Sequence, residues 1–269
     1  MKNILLAALV ICGSASYARD TDAATENKLL EAYSSMQYAT ARQLSKKSDR
    51  PEFQLIRALC DVFDRRSQNL KRGIPKLAEL SQSTALAPRY RILAKLSYAR
   101  AMHTLALRKT LYPEANNVDP VPLYNEVIAL APGSIDAVCA AIYRTQYLFE
   151  TDKADEAFAG AEDFIRTFKG ENPRYICAMH LMLKDDYIRV RNDYIKAVKH
   201  AEKARELVPA NPNTIHTLHF KIARMYDFYI KDSVKAEQEY VSFIKKFPDT
   251  AEAVIARRFL KELRERNKK

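Results

Sequence analysis

Glycine is scarce in this sequence and tryptophan is missing altogether. Only five glycines occur among 269 residues, and the chain has no glycine-rich loop of the kind that holds a phosphate group. Neither a βαβ pattern nor a run of alternating Val, Ile or Thr is present. Ala, Leu, Lys, Glu and Arg dominate instead, and these residues favour helices. The composition therefore predicts an all-α protein.

Motifs of known catalytic chemistry are missing as well. The sequence has no G-x-S-x-G, which marks a nucleophilic serine, and no H-E-x-x-H, which marks a zinc site. The acidic pairs Asp61 with Asp64 and Asp185 with Asp186 lie on predicted helices, where we expect them to face solvent or to pair with Lys and Arg. We predict no enzymatic activity and no cofactor. A helical hydrolase or lyase stays open as a third hypothesis, which requires a pocket with strongly shifted carboxylates.

The N-terminus has the pattern of an export signal. Lys2 precedes an apolar run of eight residues, Ile4 to Ile11, and the tripeptide SYA offers a small-x-small cleavage site ending at position 18. Eight residues are too few to cross a bilayer as a helix. We therefore predict a signal peptide over 1–18 and a periplasmic or secreted mature chain over 19–269.

A cysteine within the signal leaves an alternative open. Cys12 could be the acylated residue of a bacterial lipoprotein, because such signals also end at a cysteine. The residue before it is Ile11, whereas a lipoprotein signal has Gly, Ala or Ser there. Cleavage after position 18 is our prediction, and lipid anchoring at Cys12 is the alternative.

The chain is basic, with a formal net charge of +11. Removal of Lys2 with the signal leaves +10 on the mature chain. An exported protein does not routinely meet nucleic acid, so the expected anionic partners are acidic peptides, wall polymers or membrane headgroups. The alternative interpretation is that the excess charge only keeps the surface soluble.

Three cysteines remain after the signal: Cys60, Cys139 and Cys177. Each stands in an apolar helical stripe, so we predict buried free thiols. Export leads to an oxidising compartment, and a Cys139–Cys177 disulfide therefore stays open.

Helical segments end repeatedly at an apolar residue followed by proline or a polar residue. These stops are spaced by 37, 44, 37, 40 and 39 residues, and they lie at Pro51, Pro88, Pro132, Lys169, Pro209 and Pro248. Near-constant intervals of this size indicate stacked structural repeats. The longest interval contains 111–122, a segment rich in proline and asparagine that we interpret as an inserted loop.

Small and aromatic residues recur in register before the last three stops. A tyrosine stands ten positions before an alanine in each repeat; these pairs are Tyr147 with Ala157, Tyr187 with Ala197, and Tyr226 with Ala236. Further small or aromatic residues follow each alanine by four and seven positions, as Ala201 and Ala204 follow Ala197. This pattern resembles the tetratricopeptide repeat, a helix–turn–helix unit of about 34 residues. The match is best over 134–269. The units here are longer, and Lys184 stands where the family has Gly or Ala.

The resemblance implies a right-handed α-solenoid of antiparallel helix pairs, with about twelve helices. We predict helices at 24–47, 51–66, 70–86, 88–109, 121–131, 134–150, 153–168, 173–191, 193–207, 213–230, 232–247 and 250–266. The small residues let neighbouring helices approach closely, and the prolines stop the helices. The predicted repeat-packing residues are Tyr147, Ala157, Tyr187, Ala197, Ala201, Ala204, Tyr226, Ala236, Pro209 and Pro248.

The resemblance also implies a groove lined by the first helix of each pair. The residues that would face it are Thr145, Leu148, Leu181, Asp185, Ile188, Arg189, Phe220, Arg224, Asp227 and Phe228. An apolar floor with few charges suits an amphipathic helix or an extended peptide. The alternative interpretation is that neighbouring helices of the protein itself cover these side chains.

The last predicted helix carries many Lys and Arg side chains around one apolar stripe, which is typical of a helix that ends a stack. A basic arm that binds an anionic wall polymer or membrane surface is the functional alternative. His216 and His219 are three residues apart and could share a metal. However, His219 and His180 occupy the same repeat position, seventeen residues before Ala236 and Ala197 respectively, which favours interhelical packing. We predict no metal site.

Two hypotheses of function follow. The first is an exported, non-catalytic adaptor that binds an envelope protein or peptide in the groove. The second is a lipid-anchored outer-membrane assembly or cell-wall coordination factor, because the segments AEDFIRTFKGENPRYICAMHL and EYVSFIKKFPDTAEAVIARRFL are similar to repeats of bacterial assembly lipoproteins and Tol-associated periplasmic proteins.

Overall fold

A computed structural model describes residues 20–64, 67–108, 119–170, 172–207 and 212–268. Within these ranges the chain forms thirteen α-helices, a short 3₁₀ helix and a π-helix, and no strand. The prediction of an all-α protein is confirmed. None of the described helices combines the length and the apolar character that a membrane span requires.

The first compact unit comprises residues 1–131. Its helices are α1 (Asp20–Ser34), α2 (Tyr38–Ser45), α3 (Pro51–Phe63), α4 (Ser67–Gln82), α5 (Pro88–Leu107) and α6 (Val121–Leu130). Each packs against the next along the chain, and α3 also contacts α1 and α5. Proline occupies the first turn of α3, α5 and α6. Backbone N–H groups in this turn have no acceptor within the helix, so proline, which lacks the N–H, costs no hydrogen bond there.

A predicted continuous helix over 24–47 is wrong, because the chain breaks between α1 and α2. Met36 has a φ of 58°, and the Gln37 N–H donates to the Ala32 carbonyl at 2.8 Å. A left-handed residue that closes the last turn in this way ends a helix. Neither glycine nor proline stands at this position, so the sequence pattern gave no indication that the helix ends here.

The core of this unit lies around α3. Phe53, Leu55, Ile56 and Leu59 on this helix are at most 2% exposed. Gly73 on α4 allows the close approach of the two helices, since a Cβ at this position would lie 2.9 Å from the Ala58 carbonyl oxygen.

The second compact unit comprises residues 132–269. Its helices are α7 (Ile135–Glu150), α8 (Ala154–Thr167), α9 (Cys177–Arg191), α10 (Tyr194–Leu207), α11 (Pro212–Arg224), α12 (Ser233–Lys246) and α13 (Ala251–Arg266). The 3₁₀ helix (Pro173–Ile176) leads into α9, and the π-helix (Met225–Ile230) continues α11. Each helix packs against the next along the chain, and α7 also contacts α9, as α11 contacts α13.

Polar side chains cap several helices of this unit at their N-termini. The side-chain oxygens of Ser134, Asp232 and Thr250 each accept a hydrogen bond from the backbone N–H three residues later, at 3.0 to 3.2 Å. Such caps satisfy amide groups that have no partner inside the helix. Gly133 has a φ of 78° and lies against Gly170, where a Cβ would be 2.8 Å from the Gly170 Cα.

Cys60, Cys139 and Cys177 are buried, as predicted, and Cys60 and Cys177 are free thiols. Burial raises the pKa of the Cys60 thiol to about 12 and also raises the pKa of Cys177. The Cys177 thiol donates to the Ala204 carbonyl at 3.6 Å. The predicted signal over 1–18, Cys12 and most of the predicted loop over 111–122 lie outside the described residues.

Candidate binding surface

A tyrosine–glutamate hydrogen bond recurs between helices of the second unit. The Tyr226 hydroxyl donates to Glu202 Oε1 at 2.8 Å, and the Tyr187 hydroxyl donates to Glu162 Oε1. Tyr187 lies on α9 and Glu162 on α8, whereas Tyr226 lies on the π-helix and Glu202 on α10. Burial first, and the nearby glutamate second, raise the pKa of both hydroxyls. The contact therefore joins α9 to α8 and the π-helix to α10 at equivalent positions of the sequence.

The small residues of the predicted packing set are fully buried. Ala157, Ala197, Ala201, Ala204 and Ala236 are all 0% exposed, as is the side chain of Tyr187. Tyr226 is 4% exposed, Tyr147 is half-buried and Pro248 is exposed. The Pro248 carbonyl accepts a hydrogen bond from Arg257 Nη2 at 2.9 Å. Pro209 lies outside the described residues.

The ten predicted groove residues differ in exposure. The buried ones are Thr145, Leu148, Phe220 and Asp227; the half-buried ones are Leu181, Ile188 and Phe228; the exposed ones are Asp185, Arg189 and Arg224. All lie on α7, α9, α11 or the π-helix.

Two of the buried groove candidates make internal contacts. The Thr145 hydroxyl donates to the Ala141 carbonyl at 2.8 Å. Asp227, only 3% exposed, accepts a hydrogen bond from the Tyr240 hydroxyl at 3.2 Å and forms an ion pair with Arg266. Burial, followed by the Asp227 carboxylate, raises the pKa of Tyr240. The carboxylate lies on the π-helix and thus joins it to α12 and α13, so these two residues shape the unit from inside.

An exposed arginine of α9 lies over an aromatic ring of α7. The Arg189 guanidinium lies over the Phe149 ring at 5.8 Å from its centre and pairs with Asp186 at 2.7 Å. The Arg189 side chain is 64% exposed, and Phe149 is half-buried. We name these two residues the Phe149–Arg189 patch.

A second patch of the same chemistry lies on α11, the π-helix and α13. Arg224 is exposed, and its guanidinium lies 5.8 Å from the centre of the Phe228 ring. Phe228 packs edge-on against Phe259, with ring centres 5.1 Å apart. Both rings are half-buried. We name Arg224, Phe228 and Phe259 the Arg224–Phe259 patch.

Sequence reasoning missed Phe149 and Phe259. Phe149, Arg189 and Phe228 each stand two residues after a register tyrosine. Phe149 therefore stands at the same repeat position as the predicted groove residue Phe228. The middle repeat has an arginine at this position, so an aromatic residue does not recur in all three repeats. Phe259 carries no such signal, because it belongs to the last helix.

The histidines of this unit make interhelical contacts. His180 Nδ1 on α9 lies 2.9 Å from His200 Nδ1 on α10, and the His200 ring stacks on Tyr187 at 5.6 Å. Burial, followed by His200 and Lys203, lowers the pKa of His180 to about 4. A neutral imidazole has one N–H donor and one acceptor nitrogen, so one ring can donate its Nδ1–H to the Nδ1 of the other while both rings stay uncharged.

His216 and His219 diverge from one another. His216 Nε2 lies 3.5 Å from Glu252, whereas His219 Nδ1 lies 3.4 Å from Arg205 Nη1. Burial first, and Arg205 second, lower the pKa of His219 to about 4. Within the described part of the chain, no three His, Cys, Asp or Glu side chains are grouped so that they could hold a metal ion.

The acidic pairs found in the sequence are neutralised by basic neighbours, as expected. Arg42 contacts Asp61 at 2.9 Å and Asp64 at 2.7 Å. Asp185 pairs with Lys184, and Asp186 pairs with Arg189. Burial raises the pKa of Asp186, while Arg189 opposes this rise.

The basic side chains of α13 are mostly paired. Arg264 contacts Glu237 at 2.8 Å, Arg258 lies 3.8 Å from Glu262, and Arg266 pairs with the buried Asp227. These contacts reduce the positive charge that the helix presents to a distant anion.

No protein-family model matches this chain, and a comparison with curated proteins found no similar sequence.

Proposed function

We propose that the protein is a non-catalytic adaptor of the bacterial cell envelope that binds a partner peptide or helix. The surface would be formed by the first helices of the pairs in residues 134–269. The observation that carries this proposal is the presence of the Phe149–Arg189 and Arg224–Phe259 patches on those helices. Aromatic and arginine side chains are enriched at protein-binding surfaces, where each supplies contact area and directional bonding.

The proposed architecture is a right-handed, tetratricopeptide-like α-solenoid of antiparallel helix pairs. Two observations support it: helices of the second unit pack in chain order, and the Tyr–Glu contact repeats at the same register. In a stack of this kind the first helices lie side by side, so equivalent residues of successive repeats form a row. Phe149, Arg189 and Phe228 would then belong to one row.

The partner that fits this surface has apolar and acidic side chains close together. Arg189 and Arg224 are exposed, and an arginine binds a carboxylate through two parallel hydrogen bonds. The half-buried rings of Phe149, Phe228 and Phe259 offer apolar contact next to these cations. An amphipathic helix or an extended peptide with an acidic residue meets both requirements. Wall polymers or headgroups bound by α13 are a weaker proposal, because its arginines are largely paired.

The test removes the two exposed arginines together. The mature protein is used to capture partners from envelope extract, and the affinity of a captured protein is then measured by calorimetry. We expect Arg189→Gln/Arg224→Gln to weaken this affinity by at least about tenfold, since each lost charged hydrogen bond costs roughly 1.5–3 kcal/mol.

The matched control is Lys199→Gln/Lys245→Gln, which removes the same charge from the exposed faces of the second helices α10 and α12. It should leave the affinity within about twofold of the wild type. Equal affinity of both double variants for every captured protein would refute the proposed surface.

Lipid anchoring at Cys12 is the alternative location for the same adaptor, in an outer-membrane assembly or wall-coordination role. The mass of the mature N-terminus separates the two proposals. A chain that begins at Arg19 has lost Cys12 and with it the anchor, whereas a diacylglyceryl group on Cys12 establishes the lipoprotein.

A further inference from the structure

A cavity of about 480 Å³ lies in the first unit, between the end of α4, the first half of α5 and α6. From α5 it is lined by Pro88, Arg91, Ile92 and Lys95, whose steps of three, one and three residues place them on one helical face. Ligand-binding cavities commonly measure about 300–1,000 Å³. The volume therefore suits a small organic molecule.

The walls of the cavity are apolar on two sides. Pro88 and Ile92 line it from α5, and Ala129 and Leu130 line it from α6. Leu130 is 59% exposed and so offers apolar surface to a ligand in the cavity. A hydrocarbon chain placed along these residues would cover this surface and be removed from water itself.

Two cationic groups stand on the α5 side. The Lys95 side chain is only 8% exposed, and its Nζ lies 2.5 Å from Glu126 Oε2. Arg91 is half-buried, and among the described residues its guanidinium has no hydrogen-bond or ion-pair partner. A half-buried guanidinium without a partner forgoes hydrogen bonds that an anion can supply.

The charges at the cavity select a monoanion. Arg91 and Lys95 contribute two positive charges, and Glu126 contributes one negative charge. A single carboxylate balances the remaining positive charge and can accept two parallel N–H hydrogen bonds from Arg91. Lys95 donates one N–H to Glu126 and keeps further N–H donors for the same ligand. A dianionic phosphate would meet repulsion from Glu126.

We propose that this cavity binds an aliphatic monocarboxylate, with its carboxylate on Arg91 and its hydrocarbon chain along Ile92, Ala129 and Leu130. This site is independent of the proposed peptide surface, which lies on helices of the other unit. The protein would thus carry a small-molecule site in addition to its adaptor surface.

Octanoate is the probe, and its affinity for the mature protein is measured by calorimetry. Octanol and octylamine have the same chain without the negative charge, and octyl phosphate carries a larger one. We expect octanoate to bind at least about tenfold more tightly than any of the three, because only it matches both the charge and the apolar walls.

Three variants locate the site. Arg91→Gln removes the proposed carboxylate partner, and Ala129→Trp fills the cavity from its exposed wall; each should weaken octanoate binding by at least about tenfold. Arg89→Gln removes a positive charge from the same helix outside the cavity and should leave the affinity unchanged. Circular dichroism confirms that each variant retains its helices.

Several outcomes would overturn the proposal. These are no binding of octanoate, equal or tighter binding of any of the three analogues, unchanged affinity in Arg91→Gln or Ala129→Trp, and an equal loss in Arg89→Gln, which would indicate general charge attraction.

Discussion

Individual polar side chains hold the second unit together at points where the sequence suggested only packing. Tyr187 and Tyr226 recur at the same register of the sequence, and each donates its hydroxyl to a glutamate of an earlier helix. In the last of the three repeats, Val241 stands at the position that Glu162 and Glu202 hold in the first two, and it is 43% exposed. Among the described residues this contact therefore occurs at Tyr187 and Tyr226.

The buried histidines make stability depend on pH. The pKa of His180 in the folded protein, about 4, lies below its unfolded value of about 6.5, so between these values the unfolded chain binds a proton that the folded one excludes. Stability should fall by about 2 kcal/mol as the pH drops from 6.5 to 4 on account of this residue. Urea unfolding at several pH values measures this dependence.

His180→Gln should flatten that slope, because it removes the titrating group while leaving a hydrogen-bonding partner for His200. His216→Gln is the control, since His216 lies at the Glu252 contact instead. An identical pH dependence in wild type and His180→Gln would contradict this account of the pair.

At the scale of elements, three helix ends of the second unit share one backbone conformation although their residues differ. Asp152, Asn192 and Lys231 each stand five residues after a register tyrosine, and all three have a left-handed backbone, with φ of 59°, 52° and 63°. In the two later repeats the next N–H closes the turn onto the tyrosine carbonyl at 3.0 Å. Three different side chains share one backbone conformation, and a left-handed residue of this kind ends a helix.

Lys231→Gly should stabilise the protein by roughly 0.5–1 kcal/mol. A left-handed conformation strains a residue that has a Cβ, whereas glycine adopts it freely. Lys221→Gly, inside α11, is the matched control and should destabilise by about 1 kcal/mol, because glycine weakens a helix interior. Urea denaturation compares the two variants. A loss of stability in Lys231→Gly as large as that of the control would show that the left-handed turn carries no strain.

The molecule as a whole contains two compact units, 1–131 and 132–269, each with its own core. The core of the first is built from Leu, Ile and Phe around α3. That of the second contains many alanines together with buried tyrosine and phenylalanine. A core of alanines holds helices close together and leaves little space for larger side chains.

Ala201→Leu should therefore destabilise the second unit by about 1–3 kcal/mol through overpacking. Backbone amide exchange should become faster in α10 and in α9 and α11, which pack against it. Lys199→Leu, an exposed change on the same helix, should leave exchange unchanged. Unaltered exchange in Ala201→Leu would mean that α10 is packed loosely enough to admit a leucine.

Much of the fold could be predicted because its signals are local. The burial of Ala197, Ala201 and Ala204 followed from their spacing on one helical face, and the helix starts at Pro51 and Pro88 followed from proline at the first turn. The candidate surface was predictable only in part. All four of Arg189, Arg224, Thr145 and Asp227 were predicted to face the groove, but only the two arginines are exposed and the other two are buried. That difference depends on which other helices lie above each position.

The sequence by itself determined that this protein is helical, where most of its helices begin and end, and at what register its tyrosines and alanines recur. These properties depend on residues within one or two turns of each other, whose backbone preferences are local. Only the tertiary structure decided the left-handed turns at Met36 and Lys231, the π-helix and the pairing of Lys95 with Glu126 across 31 residues. The Lys95–Glu126 pair joins helices distant in the chain, and the turns and the π-helix adopt conformations for which these side chains have no strong local preference.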